Sequence, residues 1–131
     1  MNLEDCFTSG SLKKIESDRK NSLKSLETAK LYIEKAEHTL DSKDFDLTIF
    51  CSYTSMFHAS RALLFKDGIK ERSHVCLISY IKQEYPQLLD EMNLLDFYRR
   101  SRHTAVYSLD FIAIGEQARN QLKTLNTCLA K

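Results

Sequence analysis

The chain has 131 residues, of which 43% are hydrophobic and 28% are charged, and its formal net charge is only +1. An ordinary apolar fraction with little net charge argues against intrinsic disorder, and this length is typical of one domain spanning residues 1–131. The three glycines and one proline are too few for the frequent turns of a β-sandwich or barrel, so the composition favours an all-α fold.

No segment predicts a membrane span or a signal peptide. The longest apolar runs are about four residues, whereas a membrane helix needs about 20, and the first residues are acidic rather than basic. The cysteines (Cys6, Cys51, Cys76 and Cys128) are scattered without a Cys-x-x-Cys pair. We therefore expect no metal site and no need for disulfides, with Cys51 and Cys76 as small buried apolar residues. Together these features predict a soluble cytoplasmic protein.

Apolar residues three or four positions apart predict the first two helices. Residues 1–16 are mixed in character and are expected to be a loosely ordered N-terminal segment. The first long helix is predicted to begin near Ser17 and Asp18 and to end near Leu40. Asp44 can cap a second helix, which runs to Lys66. This helix is apolar nearly all round, so we predict that it is the central element.

Turn and capping residues divide the rest of the chain. Gly68 suits the left-handed end of the second helix, and Ser73 can cap a short third helix that ends before Pro86. A fourth helix follows and runs into Arg102 and His103. After residues 108–110 a last helix is predicted to continue to the C-terminus. Short connections make sequential helices antiparallel neighbours, so we predict an up-and-down antiparallel bundle of four long helices plus a short one.

A basic cluster occupies the end of the predicted fourth helix. Arg99, His103 and Tyr107 are four residues apart on one helical face, with Arg102 beside them. Guanidinium groups bind phosphate bidentately, an imidazole can transfer a proton near neutral pH, and a phenol can stack on a base or act as a nucleophile. These residue types suit a phosphodiester or a nucleotide. The alternative interpretation is structural, with the arginines paired to neighbouring carboxylates at Asp90, Glu91 or Asp96.

The predicted central helix carries two further candidates, His58 and Arg61. A buried arginine there needs a polar partner or a subunit interface, and it is a candidate for bordering the same cleft as Arg102. The alternative for His58 is a core histidine that only makes a hydrogen bond. Glu34 and His38 approximate just one of the two Glu-x-x-His segments of a di-iron bundle, so we expect no metal and no cofactor.

Three segments carry a resemblance to a known family: Tyr53–Leu64 followed by Gly68, then Arg72–Leu77, then Arg99–Tyr107. In order and spacing they resemble the small prokaryotic HEPN-domain proteins, and more narrowly the archaeal and bacterial group labelled UPF0332, over about residues 17–130. The resemblance implies a helical bundle, commonly a homodimer, often encoded beside a minimal nucleotidyltransferase as a toxin–antitoxin-like pair. Active members of the family are metal-independent ribonucleases.

The family motif is an arginine, four to six intervening residues and a histidine, brought together from two subunits. In one register Arg102 is the motif arginine and Tyr107 replaces the histidine, whereas in the other Arg99 and His103 form a compressed motif. We prefer the first, because the narrower group typically shows arginine, four residues and tyrosine. With an unperturbed pKa of about 10, tyrosine is a poor general base at neutral pH. Nucleotide or RNA binding is therefore expected to survive this change better than cleavage.

Together with the basic cluster, the resemblance implies a dimeric nucleotide- or RNA-binding protein, the toxin-like partner of a minimal nucleotidyltransferase. Any cleavage is assigned to Arg102, His103 and Tyr107. The predicted binding residues are Arg99, Arg102, Arg61 and His58. The alternative function is a non-catalytic helical module for dimerisation or for docking a partner protein, with Tyr107 as a modification site.

Overall fold

Within residues 2–107 the chain forms five helices and a small two-stranded ribbon. A computed structural model describes residues 2–107, 119–120 and 122–123, with side chains described through residue 100 and again at 119–120 and 122–123. The elements in chain order are α1 (Leu3–Thr8), β1 (Leu12–Lys14), α2 (Arg19–Asp41), α3 (Phe45–Lys66), β2 (Ile69–Glu71), α4 (His74–Glu84), a 3-10 turn (Pro86–Leu88) and α5 (Leu89–Tyr107). The predicted all-α bundle is confirmed.

Three helix ends lie at residues whose chemistry predicted them, whereas Asp44 precedes α3 without a capping hydrogen bond from its side chain. The Asn21 backbone N–H donates to the Asp18 carboxylate at 2.9 Å, and the Cys76 N–H donates to the Ser73 hydroxyl at 3.2 Å. Gly68 follows α3 with a φ of +74°, a left-handed conformation that favours glycine. These three local interactions fix the start of α2, the start of α4 and the end of α3.

Helices α2 and α3 pack as an antiparallel pair. Near one end of the pair the Ser22 hydroxyl donates to the Ala62 carbonyl at 2.7 Å. At the other end the Thr48 hydroxyl donates to that of Thr39 at 2.8 Å. Residues early in α2 therefore meet residues late in α3. The burial of most of α3, Thr48 to Leu64 above all, confirms it as the central helix.

The short helix α4 runs in the same direction as α3, because the β2 segment returns the chain before α4 begins. Its first residue, His74, shares a hydrogen bond of 2.7 Å with the Tyr53 hydroxyl in the middle of α3. Just past its end, the Tyr85 hydroxyl donates at 2.7 Å to Asp67, the residue that follows α3. Helix α4 thus ends beside the C-terminal end of α3.

Helix α5 starts at that end and runs back along α3. The Ser60 hydroxyl lies 3.9 Å from the Met92 sulfur, near the start of α5. Later residues of α5 therefore lie beside earlier residues of α3. The long helices α2, α3 and α5 alternate in direction, as the up-and-down prediction requires.

Residues 2–16 form ordered elements, contrary to the expectation of a loosely ordered segment over residues 1–16. Helix α1 is capped by Asn2, whose side chain accepts from the Asp5 N–H at 2.8 Å. Strand β1 pairs antiparallel with β2, with Lys13 opposite Lys70, and Leu12 is fully buried. The ordering partner lies more than 50 residues away in the chain, so the local sequence did not predict it.

A disulfide joins Cys6 of α1 to Cys76 of α4, so the expectation of no disulfide, with Cys76 a simple apolar residue, is wrong. The two Cα atoms are 5.8 Å apart, within the range that a disulfide spans. Packing of α1 against the first turn of α4 produces this approach. Cys51 is buried and free, as predicted.

The core lies between α3, α4 and α5, and Leu122 packs against it. Residues 119–120 and 122–123 are helical. The rest of the predicted last helix, together with Cys128, lies outside the described residues. No helix in the described part of the chain combines the length and apolar character that a membrane span needs.

Candidate nucleic-acid interface

The basic cluster lies on a continuous helix. The backbone of α5 is helical through Tyr107, so Arg99, His103 and Tyr107 occupy positions four residues apart on that helix. The side chains of Arg102, His103 and Tyr107 lie outside the described residues. For these three residues the structure describes the backbone, which places them on α5.

Along α5, the residues on the core-facing side change from apolar to cationic. Met92 and Leu95 are fully buried in the core. Position 99 follows Met92 by seven residues, and position 102 follows Leu95 by seven. Seven residues are about two helical turns, so these positions continue the same face. On that face, arginine takes the place of apolar residues at positions 99 and 102.

Two arginines at the start of this basic stretch share one carboxylate. The Arg99 guanidinium lies 3.1 Å from Asp96, and that of Arg100 lies 3.4 Å from the same side chain. The Arg100 side chain is 64% exposed, whereas those of Arg99 and Asp96 are 29% and 26% exposed. Within the described side chains, the two arginines thus share Asp96 as their carboxylate partner.

The antiparallel packing sets the level of this basic stretch along α3. Arg99 lies seven residues beyond Met92, which is about 10 Å along the axis. Because Met92 contacts Ser60, Arg99 lies at about the level of Ser52, eight residues before Ser60. The Ser52 hydroxyl is buried and has no hydrogen-bond partner within the described part of the chain. Next to Arg99, burial raises the pKa of the Tyr98 phenol, which therefore stays neutral.

The other two predicted residues, His58 and Arg61, form a second group on α3. The Arg61 Nε lies 2.6 Å from Glu71, and its guanidinium lies 4.6 Å from the centre of the Phe57 ring. The His58 ring is nearly parallel to that of Tyr32, with centroids 6.2 Å apart. Its buried Nδ1 has no hydrogen-bond partner among the described residues. Burial, and then the charge of Arg61, lowers the pKa of His58, so this imidazole is neutral at pH 7.

The two groups occupy different sides of α3. Ser60 marks the side of α3 that contacts α5. Each helical residue turns the direction by about 100°, so Arg61 points about 100° away from Ser60, and His58 about 160° away. Within one chain, Arg61 and His58 therefore lie away from the α5 side, where Arg99 is located.

The sequence analysis missed the polar contact between His74 and Tyr53. Their hydrogen bond joins residues 21 positions apart, and the His74 ring also lies 4.0 Å from the centre of the Phe57 ring. Only the parallel packing of α4 on α3 brings them together, and no local motif signals it. Among the described residues, no three histidine, cysteine, aspartate or glutamate side chains are grouped to hold a metal ion.

Comparison with known proteins places the chain in a family. The model of the HEPN domain matches residues 22–128, which include α3, α5, all but the first three residues of α2, and both groups above. No curated protein and no solved structure matches the chain. Because the family match covers most of the sequence, the protein belongs to the HEPN-domain family, whose members have nucleotide- or RNA-related functions.

Proposed function

We propose that this protein binds RNA or a nucleotide through phosphate contacts made by the basic stretch of α5. The observation that carries the proposal is the change at Arg99, where the residues on the core-facing side of α5 change from apolar to cationic. An unpaired guanidinium in an apolar core is strongly unfavourable. A helix with arginines at these positions is therefore expected to leave the core there and to meet an anion.

The charge balance supports a ligand with several phosphates. Asp96 carries one negative charge for the two arginines that it contacts, and Arg102 and His103 follow within four residues of Arg99. Arginine binds phosphate oxygens bidentately, and each contact releases counterions from the nucleic acid.

Cleavage of RNA is a narrower proposal that rests on the motif register. In the preferred register Arg102 and Tyr107 take the motif positions, with His103 as the group that transfers a proton and the arginines stabilising the developing charge. Two copies of the chain would supply the two halves of the site. Because tyrosine stands in place of the motif histidine, we expect RNA binding to survive this change better than RNA cleavage.

A minimal nucleotidyltransferase is the protein partner that we propose on the family resemblance, with this chain as the toxin-like member. Tyr107 is then the residue for modification by that partner. A neighbouring nucleotidyltransferase gene, and a mass increase on Tyr107 after incubation with that enzyme and ATP, would support this pairing. An unmodified Tyr107 under those conditions would contradict it.

A salt titration tests RNA binding. Fluorescence anisotropy with a labelled single-stranded 20-nucleotide RNA, in EDTA, should give affinity that falls steeply with salt. Three phosphate contacts predict a log–log slope of about −2, or roughly 20-fold between 50 and 200 mM salt. Arg102→Ala should weaken binding and reduce the slope by about 0.7. Arg19→Ala, at the exposed start of α2, is the matched control and should change neither.

The same reactions test cleavage. Products that appear in EDTA and disappear in His103→Ala would support the ribonuclease assignment, whereas cleavage retained in that variant would remove His103 from it. No RNA retention at 50 mM salt, with the protein folded, would refute the binding proposal itself.

A further inference from the structure

The N-terminal helix α1 is attached to the rest of the protein by few contacts. Cys6 is its only buried residue, and Leu3 and Phe7 are half-buried against the core. Within the described part of the chain, the hydrogen bonds of residues 2–9 have both partners inside residues 2–11. A helix of six residues is marginal in water on its own. Its docking on α4 therefore depends on the disulfide and on two half-buried side chains.

The ribbon that follows α1 is held independently of it. Leu12 is fully buried, and its strand pairs with residues 69–71. Just outside the paired residues, the Arg72 N–H donates to the Ser11 carbonyl at 2.8 Å. Gly10 lies between α1 and the ribbon, at a φ of +81° and with open space around it. The boundary between a movable α1 and a fixed ribbon therefore falls at Gly10.

The disulfide joins α1 to the first turn of α4. Cys76 lies three residues after Ser73, whose hydroxyl accepts the Cys76 N–H. The N-terminal turn of a helix stabilises a thiolate, so Cys76 is the better leaving group when a thiolate attacks the bond. Both cysteines are fully buried. A reductant therefore reaches the bond when α1 frays, as terminal segments do.

Helix α1 also forms one wall of a surface pocket. The pocket has a volume of about 570 Å³ and lies between α1, the ribbon and α4. Leu3 and Phe7 line it from α1, whereas Tyr80 and Glu84 line it from α4. Movement of α1 away from α4 would remove this wall and open the pocket toward solvent.

We propose that the disulfide between Cys6 and Cys76 is a redox-dependent latch that holds α1 on α4 and closes one side of this pocket. In the oxidised protein α1 is docked, as the structure describes it. In the reduced protein α1 is released about Gly10, while the ribbon and the helices α2 to α5 stay folded. The redox state of one bond thus sets whether the pocket keeps its α1 wall.

The reductant is a dithiol, and the exchange takes place in two steps. A thiolate of the dithiol attacks the Cys6 sulfur, forms a mixed disulfide with it and releases Cys76 as a thiolate. The second thiolate of the dithiol then attacks the reductant sulfur of the mixed disulfide and releases Cys6. The protein gains two electrons and two protons, and the dithiol becomes a cyclic disulfide.

Differential alkylation of the full chain tests the latch. The protein is equilibrated with oxidised or reduced dithiothreitol under native conditions, desalted without oxygen, treated briefly with N-ethylmaleimide and mapped by mass spectrometry. Cys6 should be alkylated rapidly after reduction and should not react in the oxidised protein. Cys51, which is free and buried in α3, is the internal control, because its alkylation requires α3 itself to open.

Hydrogen–deuterium exchange shows where the change is located. Amides of α1 should exchange roughly 10-fold faster after reduction, whereas those of residues 12–14 and 69–71 should not change. Cys6→Ser should give fast exchange in α1 with or without dithiothreitol. Cys51→Ser is the matched control and should keep the response of α1 to reduction.

Three results would overturn the proposal. Unchanged exchange in α1 and an unreactive Cys6 after reduction would mean that α1 stays docked without the bond. Alkylation of Cys6 and Cys51 at the same rate would mean that reduction unfolds the whole domain rather than releasing α1. A Cys6 thiol that reacts after equilibration with oxidised dithiothreitol would mean that the latch does not form.

Discussion

The shared carboxylate of Asp96 separates the functional interpretation of the arginines from the structural one. Asp96→Asn keeps the shape of the side chain but removes the charge that Arg99 and Arg100 share. If the arginines bind RNA, Asp96 competes with phosphate for them, and the variant should bind RNA more tightly. If the arginines only stabilise α5, the variant should lose stability and should bind RNA no more tightly than the wild type.

The size of the effect follows from the geometry. The two ion pairs span three and four residues on one helix and are partly exposed, and each such pair contributes about 0.2–0.5 kcal/mol. Their loss should lower the free energy of unfolding by about 0.4–1 kcal/mol. Release of the same energy on RNA binding corresponds to roughly 2- to 5-fold tighter affinity.

The assay is RNA anisotropy at 50 mM salt alongside urea unfolding. Glu27→Gln is the matched control, because it makes the same change of net charge at an exposed site on α2. Tighter binding in Asp96→Asn but not in Glu27→Gln is the expected result. Equal gains in both variants would mean that only the overall charge matters, and no gain in Asp96→Asn would refute a role for Arg99 and Arg100.

Three further predictions concern the fold. Gly68→Ala should lower the free energy of unfolding by about 2–4 kcal/mol, because a Cβ would lie 2.6 Å from the Ile15 carbonyl oxygen at a φ of +74°. Gly10 has open space around it, so Gly10→Ala should lower the free energy of unfolding by only about 1 kcal/mol. Equal losses in the two variants, measured by urea unfolding, would contradict the close approach at Gly68. The disulfide between Cys6 and Cys76 joins residues 70 positions apart. Cys6→Ser should therefore lower the free energy of unfolding by up to about 4 kcal/mol in the absence of reductant. A wild-type melting temperature that dithiothreitol does not change would contradict the disulfide. Burial, and then the charge of Arg61, hold the pKa of His58 below its usual value. The unfolded chain therefore binds the proton more readily, and the free energy of unfolding should fall as the pH drops below about 6.5. If His58→Gln shows the same fall in urea unfolding between pH 7 and 5, His58 is not its source.

The helices could be predicted because their signals are local. The caps at Asp18 and Ser73, the glycine at position 68 and the spacing of apolar residues depend on neighbours within a few positions. The nearly all-apolar character of α3 likewise identified the central helix without knowledge of its partners.

The ribbon and the disulfide could not be predicted, because both depend on residues far apart in the chain. Strand β1 is only three residues long and pairs with residues 69–71, and Cys6 meets Cys76 only after α1 packs on α4. The sequence also could not show that Arg61 is held by Glu71 or that His58 faces away from α5. These facts depend on the rotation of α3 among its neighbours, which periodicity does not fix when a helix is apolar nearly all round.

Photo-crosslinking to RNA tests the central claim most directly. The full chain would be irradiated with a 4-thiouridine-containing single-stranded RNA, digested, and the crosslinked peptides identified by mass spectrometry. Crosslinks concentrated in residues 96–107 and suppressed by raised salt are the predicted result. Crosslinks confined to residues 47–61, or spread evenly over the surface, would contradict RNA binding by the basic stretch of α5.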